Sequence, residues 1–240
     1  MRTTSGEPAR RWRSRASALA WWLSTAAFLF AGGCLVYASV NEIRRVTRVL
    51  PPRPPEVAQD VVIKDVTDTA GRQASFRILL LTDEFRWRLS SRTELENGLA
   101  EPAFTPAMKA VLNDAREIIC VGASSEEIPK SVSFARGRAG EEWRAARRAD
   151  QIALWVRQAV SRPIPVRKLN IGHHAPTSHA RHTSDQRRVV IILVLERDEH
   201  ADIDQALRAA MERESSRAPV FDALLKEYSL AAPTSFTWVE

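Results

Sequence analysis

Arg188-Val189-Val190-Ile191-Ile192-Leu193-Val194-Leu195 is the stretch on which the fold turns. An unbroken apolar run of this length, rich in β-branched residues, predicts a strand, and it is the strongest strand signal in the chain. Working outward, Glu117–Gly122 (EIICVG) is a compact apolar strand ending in glycine, and Ala74–Leu81 (ASFRILLL) reads as a buried strand. Val166–Gly172 and the shorter Val61–Val66 add two more. Helical patterns alternate with these. Thr105–Ala115 begins with an N-capping threonine followed by Pro106, a specific start signal, and Met108, Val111 and Leu112 share a face. In Gly140–Val160 the residues Trp143, Ala146, Ala149, Ile152, Val156 and Val160 recur at helical spacing and predict the buried face. Asp202–Glu212 is a further helix, and another follows Pro219 over Val220–Tyr228. Leu89–Leu99 is polar and fits neither period. The alternation predicts an α/β domain, an α+β two-layer sandwich with helices packed on one sheet.

Ahead of this domain lies Ala16–Val40, ASALAWWLSTAAFLFAGGCLVYASV, which contains no formally charged residue. About 20 apolar residues suffice to span a bilayer, and Trp21, Trp22 and Tyr37 sit where interfacial anchors belong. Residues 1–53 hold nine arginines against Glu7 and Glu42, a net of +7; the remaining 26 basic and 27 acidic residues sum to −1. The basic excess therefore flanks the apolar run, where it can meet anionic headgroups. The near-neutral remainder lacks the electrostatic footprint of a nucleic-acid binder. Ala31-Gly32-Gly33-Cys34 loosely resembles a lipoprotein cleavage site, but Leu35-Val36-Tyr37 continue apolar, and an uncleaved anchor is the better reading. The expected organisation is a basic tail (1–15), a transmembrane helix (16–40), a juxtamembrane and proline-rich linker (41–60) around Pro51-Pro52-Arg53-Pro54-Pro55, the α/β domain (61–200) and a C-terminal helical extension (201–240). The flanking arginines favour a cytoplasmic N-terminus and an external domain. With no acidic or basic residue in the span, the helix anchors and offers no ion path of its own.

Ile118-Ile119-Cys120-Val121-Gly122, the helix containing Arg147-Arg148-Ala149, then Leu169-Asn170-Ile171-Gly172 with Pro176, and finally Gln186-Arg187-Arg188-Val189-Val190-Ile191 form an ordered set. Over roughly residues 75–196 that set resembles the OmpA-like, peptidoglycan-associating domain. The family pattern is a strand ending in Gly-x-Thr-Asp, a helix carrying Asn-x-x-Leu-Ser-x-x-Arg-Ala-x-x-Val, a glycine turn with a nearby proline, and an Asn-Arg-Arg-Val-Glu-Ile strand. The resemblance implies a β/α/β/α/β-β order and a bacterial inner-membrane protein whose periplasmic domain binds peptidoglycan. It also implies a ligand clamp: a carboxylate for the ammonium of the stem-peptide diaminopimelate and an arginine for its carboxylate, two opposed charges recognising a zwitterion. Arg148 stands at the arginine position. Ser124 and Ser125 stand where Thr-Asp belongs, so the anionic half is absent there, and Glu126, Glu127 or Glu141 would be its substitutes. The segment from the serines to Arg148 is also about eight residues longer than the family pattern, and the motif's Asn and Leu fall on Glu141 and Arg144.

Two function classes follow. One is a membrane-anchored wall-binding module. The other is a degenerate OmpA-like domain acting as a protein-interaction subunit of a membrane complex, in a stator-like layout, with a polytopic membrane protein or a second copy as partner. Solvated loop residues are the plainer reading of His173, His174, His179 and His182, over a metal site. No serine elbow, Ser-x-x-Lys, Cys/His pair or phosphate-cradling loop stands in a context that would give it chemistry. Neither enzyme activity nor a cofactor is therefore expected.

Overall fold

The computed structural model describes residues 50–125, 134–174, 183–214 and 237–238. The predicted membrane helix, Glu126, Glu127, His179, His182 and the helix expected over 220–228 lie outside them. No helix among the described residues is long and apolar enough to cross a membrane.

Among the described residues, six strands form one sheet. Strands β1 (Val57–Thr67) and β2 (Gln73–Leu81) are followed by helix α1 (Pro106–Asn113), strand β3 (Glu117–Ser124), helix α2 (Phe134–Ala159) and strand β4 (Val166–His173). Strand β5 (Val190–Arg197), helix α3 (Ile203–Glu214) and strand β6 (Thr237–Trp238) complete the order. The strands are arranged β1-β2-β5-β3-β4-β6, so the apolar run that decided the fold lies inside the sheet, antiparallel to both β2 and β3. Only β3 and β4 run parallel, joined through α2. From β2 to β5 the order is β/α/β/α/β-β, as the sequence implied.

The layering differs from the expected two layers. Phe76, Ile78, Ile119, Val121, Ile192 and Val194 form one continuous core with Ile203, Leu207, Ala210 and Met211 of α3. The alternate residues Leu79, Leu81, Ile118, Cys120, Ile191 and Leu193 are equally buried, and side chains alternate across a strand. Those residues face the side on which α2 packs, where Lys168 and Asn170 of β4 bond to Asp150 and to the Glu142 carbonyl. Both faces of the central strands are apolar, so both need cover, and helices flank the sheet on two sides. Of the segment 201–240, the described residues supply α3 to the core and β6, paired with β4, to the sheet.

Local signals were read correctly where they were chemical. The Thr105 hydroxyl accepts a 3.3 Å bond from the Met108 amide, with Pro106 opening the helix. Two boundaries moved by more than two residues: β1 starts at Val57 and not Val61, and α2 starts at Phe134 and not Gly140. Trp143, placed by its spacing on the buried face, is 49% exposed. The inward face of α2 is Ala145, Arg148, Ala149, Ile152, Ala153 and Val156, rotated because Arg148 is buried there as well.

Candidate functional site

The site lies where the C-terminal ends of β3 and β4 meet α2. Gly122 sets the distance. A β-carbon at that position would lie 2.0 Å from the Ala145 carbonyl oxygen and 2.8 Å from the Ala149 β-carbon. Only glycine admits so close an approach of helix to strand. On β4 a bulge follows: Gly122 pairs with Asn170 but Ser124 with His173, so β4 carries one extra residue. Gly172, at φ +80°, absorbs the turn. The bulge carries His173 to the α2 side, with its Nδ1 4.0 Å from a Glu142 carboxylate oxygen. Beyond it, the His174 amide donates to the Ser124 carbonyl at 2.9 Å.

Arg148 is the centre of this corner, and it is 1% exposed. Its Nε and Nη2 donate as a fork to the Ser91 carbonyl at 3.1 and 3.0 Å, and Nη1 donates to the Ala123 carbonyl at 2.9 Å. The guanidinium also lies 5.5 Å from the Trp87 ring centroid, a cation–π geometry. Ser91 and Trp87 belong to the loop between β2 and α1, which includes the polar stretch that fitted no period. Trp87 is stacked on Trp155 of α2, centroids 5.0 Å apart. Arg187 donates to the Trp87 carbonyl at 2.9 Å and pairs with Glu96 at 3.0 Å. The Trp155 indole N–H donates to Ala100. The loop is thereby fastened along α2 and closes over the arginine.

Of the residues singled out by sequence, Arg148, Ser124, Ser125 and Glu141 are all buried, and Arg148 bonds the carbonyl of Ala123, next to Ser124. Glu141 pairs with Arg144 one turn on, while its second carboxylate oxygen and the Ser124 hydroxyl are buried without a hydrogen-bond partner. His173 and His174 are buried too, not solvated as expected of a loop. Burial holds the His173 imidazole below its ordinary pKa; Arg138 adds to that effect, and Glu142 and Glu141 oppose it. Among the described residues no group of three or more histidine, cysteine or acidic side chains is placed to hold a metal. The contribution missed from sequence is the lid. A backbone carbonyl, Ser91, accepts from both Nε and Nη2 of Arg148, and backbone partners leave no side-chain signature.

No protein-family profile and no curated protein matches the chain. Among solved structures it is similar to the periplasmic domain of MotB, at 13% identity and a TM-score of 0.29, covering 72% of this chain and 98% of that one. It is also similar to the periplasmic domain of Helicobacter pylori MotB, at 14% identity and a TM-score of 0.28, covering 67% and 99%.

Proposed function

We propose that this chain is a membrane-anchored subunit of an envelope complex, whose OmpA-like domain serves as a protein-interaction element and does not grip the wall through Arg148. In this reading the helix over 16–40 holds the chain in a bacterial inner membrane, the N-terminus is cytoplasmic, the domain is periplasmic, and the chain is not an enzyme.

The observation that carries the reading is the state of Arg148. A ligand carboxylate would have to replace the Ser91 carbonyl on the guanidinium fork, and opening that lid breaks the Trp87–Trp155 stack behind it. The zwitterion's ammonium would also find serines in place of an aspartate, so the binding energy that offsets opening is reduced on both sides.

A second reading, peptidoglycan binding, is favoured by the Ser124 hydroxyl and the Glu141 carboxylate oxygen, buried without partners in the same corner, since buried polar atoms ordinarily have them. Co-sedimentation of the detergent-solubilised full chain with purified peptidoglycan sacculi separates the two. The proposal expects the chain to stay in the supernatant at physiological salt. Pelleting of the wild type that Arg148→Ala abolishes would instead establish the second reading.

A further inference from the structure

The outward face of α2 carries Gly140, Trp143, Arg147, Asp150, Leu154 and Arg157, spaced alternately by three and four residues. That is the spacing of a seam along which two helices pack, yet apart from Asp150, which reaches back to Lys168 of β4, it lies on the side turned away from the sheet. Trp143 and Leu154 are 49% and 50% exposed, though both are large and apolar. Arg147 is 55% exposed at its side chain and Asp150 34%.

The order of residues along this stripe is self-complementary. Reversed about the height of residues 148–149, Trp143 falls opposite Leu154, Arg147 opposite Asp150, and Gly140 opposite Arg157. A closed two-fold interface requires that relation, in which residue i meets residue j and j meets i. The chemistry of each pair agrees: aromatic on aliphatic, cation on anion, and a long side chain over a glycine. A β-carbon at Gly140 would meet nothing within 4 Å, so there is room for the opposing arginine. Trp143 is also preorganised. The Arg92 guanidinium lies 4.7 Å from its ring centroid and that of Arg147 5.6 Å, and a tryptophan flanked by arginines is the composition of an interface hot spot. Asp150 is held in place by Lys168 at 2.6 Å.

We infer that α2 packs antiparallel against α2 of a second copy of this chain, with Trp143 on Leu154 and Arg147 on Asp150 across the two-fold axis. This names one partner for the interaction module proposed above and rests on that reading. Within one chain Arg147 also lies 3.3 Å from Asp150, so the two-fold contact closes a cluster of alternating charges, whereas an anionic bilayer would set lipid phosphates against Asp150.

The test uses the full chain in detergent, with mass measured by light scattering and sedimentation. Wild type is expected to be a dimer. Arg147→Asp sets aspartate against aspartate, and Asp150→Arg sets arginine against arginine, so each alone raises the dimer dissociation constant by about tenfold or more. Mixed in equal amounts, the two variants restore both opposed pairs and return the constant to within about threefold of wild type, since like-charge juxtaposition is what weakened it. A second measurement places Trp143→Cys and Leu154→Cys together in a Cys34→Ser background, and expects disulfide-linked dimers under mild oxidation. A monomeric wild type, single variants that dimerise as wild type does, a mixture that stays monomeric, or the absence of the cross-link overturns the inference. A monomer that ignores sacculi sinks this seam alone. Sacculus binding lost in Arg148→Ala sinks the interaction-module reading instead, and leaves a dimer, if one is measured, standing.

Discussion

Arg148 and Glu117 are both almost fully buried charges, at 1% exposure each, and they solve the problem of burial differently. Arg148 donates three hydrogen bonds to the backbone carbonyls of Ser91 and Ala123. Glu117, at the start of β3, is set against Arg167 and Arg197. Burial outweighs both arginines and raises the Glu117 pKa, and it also lowers that of Arg167. Both shifts disfavour the charged forms, so the pair is a poor source of stability. Glu117→Gln alone should cost roughly 3 kcal/mol by removing the buried carboxylate set against Arg167 and Arg197. Glu117→Leu combined with Arg167→Met should be close to neutral or stabilising, as read by urea denaturation; equal losses in both variants would contradict this. His173 makes a prediction about pH. Its pKa in the folded chain lies below the ordinary 6.5, so the unfolded chain takes up the proton first as pH falls. Stability is therefore full above about 6.5, the ordinary imidazole value, and declines as pH drops below it. His173→Asn should flatten that decline between pH 7.5 and 5.5 without steepening it elsewhere. An unchanged slope would place the titrating group elsewhere.

At the scale of elements, the corner depends on how closely α2 lies on β3. Gly122→Ala drives a methyl group into the Ala145 carbonyl, and backbone cannot give way as a flexible side chain can. The variant should lose about 2–3 kcal/mol or more, since overpacking in a tight core costs in that range, and its lid should loosen with the displaced helix. Hydrogen exchange at the Trp87 and Trp155 indoles reads the second effect; protection equal to wild type would mean that the lid is not braced by α2. Asp68 is the corresponding brace on the opposite side of the sheet. It accepts from the amides of Ala70, Arg72 and Asp202 and from the Arg72 side chain. The Asp202 bond leads in holding its carboxyl down to about 2, which ties the β1–β2 turn to the start of α3.

Across the whole molecule, the legible features were those written in side chains with a period or a cap. The apolar runs of β2, β3 and β5 announced the sheet, and Thr105-Pro106 announced α1. Those runs also carried the sign of a sheet covered on two faces, because none alternates apolar with polar as a strand covered on one face does. The third layer follows from that. The apolar run 16–40, read from sequence as a membrane helix, lies outside the described residues. Arg148 was singled out because it matched an ordered pattern, and Ser124, Ser125 and Glu141 because they stand where the chain departs from it; all four are buried. What the pattern could not convey was the closure of the corner around Arg148, which depends on the Ser91 carbonyl and on two tryptophans far apart in sequence. Trp143 was misplaced because periodicity does not distinguish a core face from a second apolar stripe turned outward.

The central claim is that Arg148 is committed to the protein's own loop. Isothermal titration of the solubilised chain with a soluble diaminopimelate-containing stem peptide tests it most directly. The closed lid predicts no saturable heat up to about 1 mM peptide, the range in which binding free energy falls near 4 kcal/mol. Saturable binding at micromolar peptide that disappears in Arg148→Ala, with that variant's fold intact by circular dichroism, would contradict it.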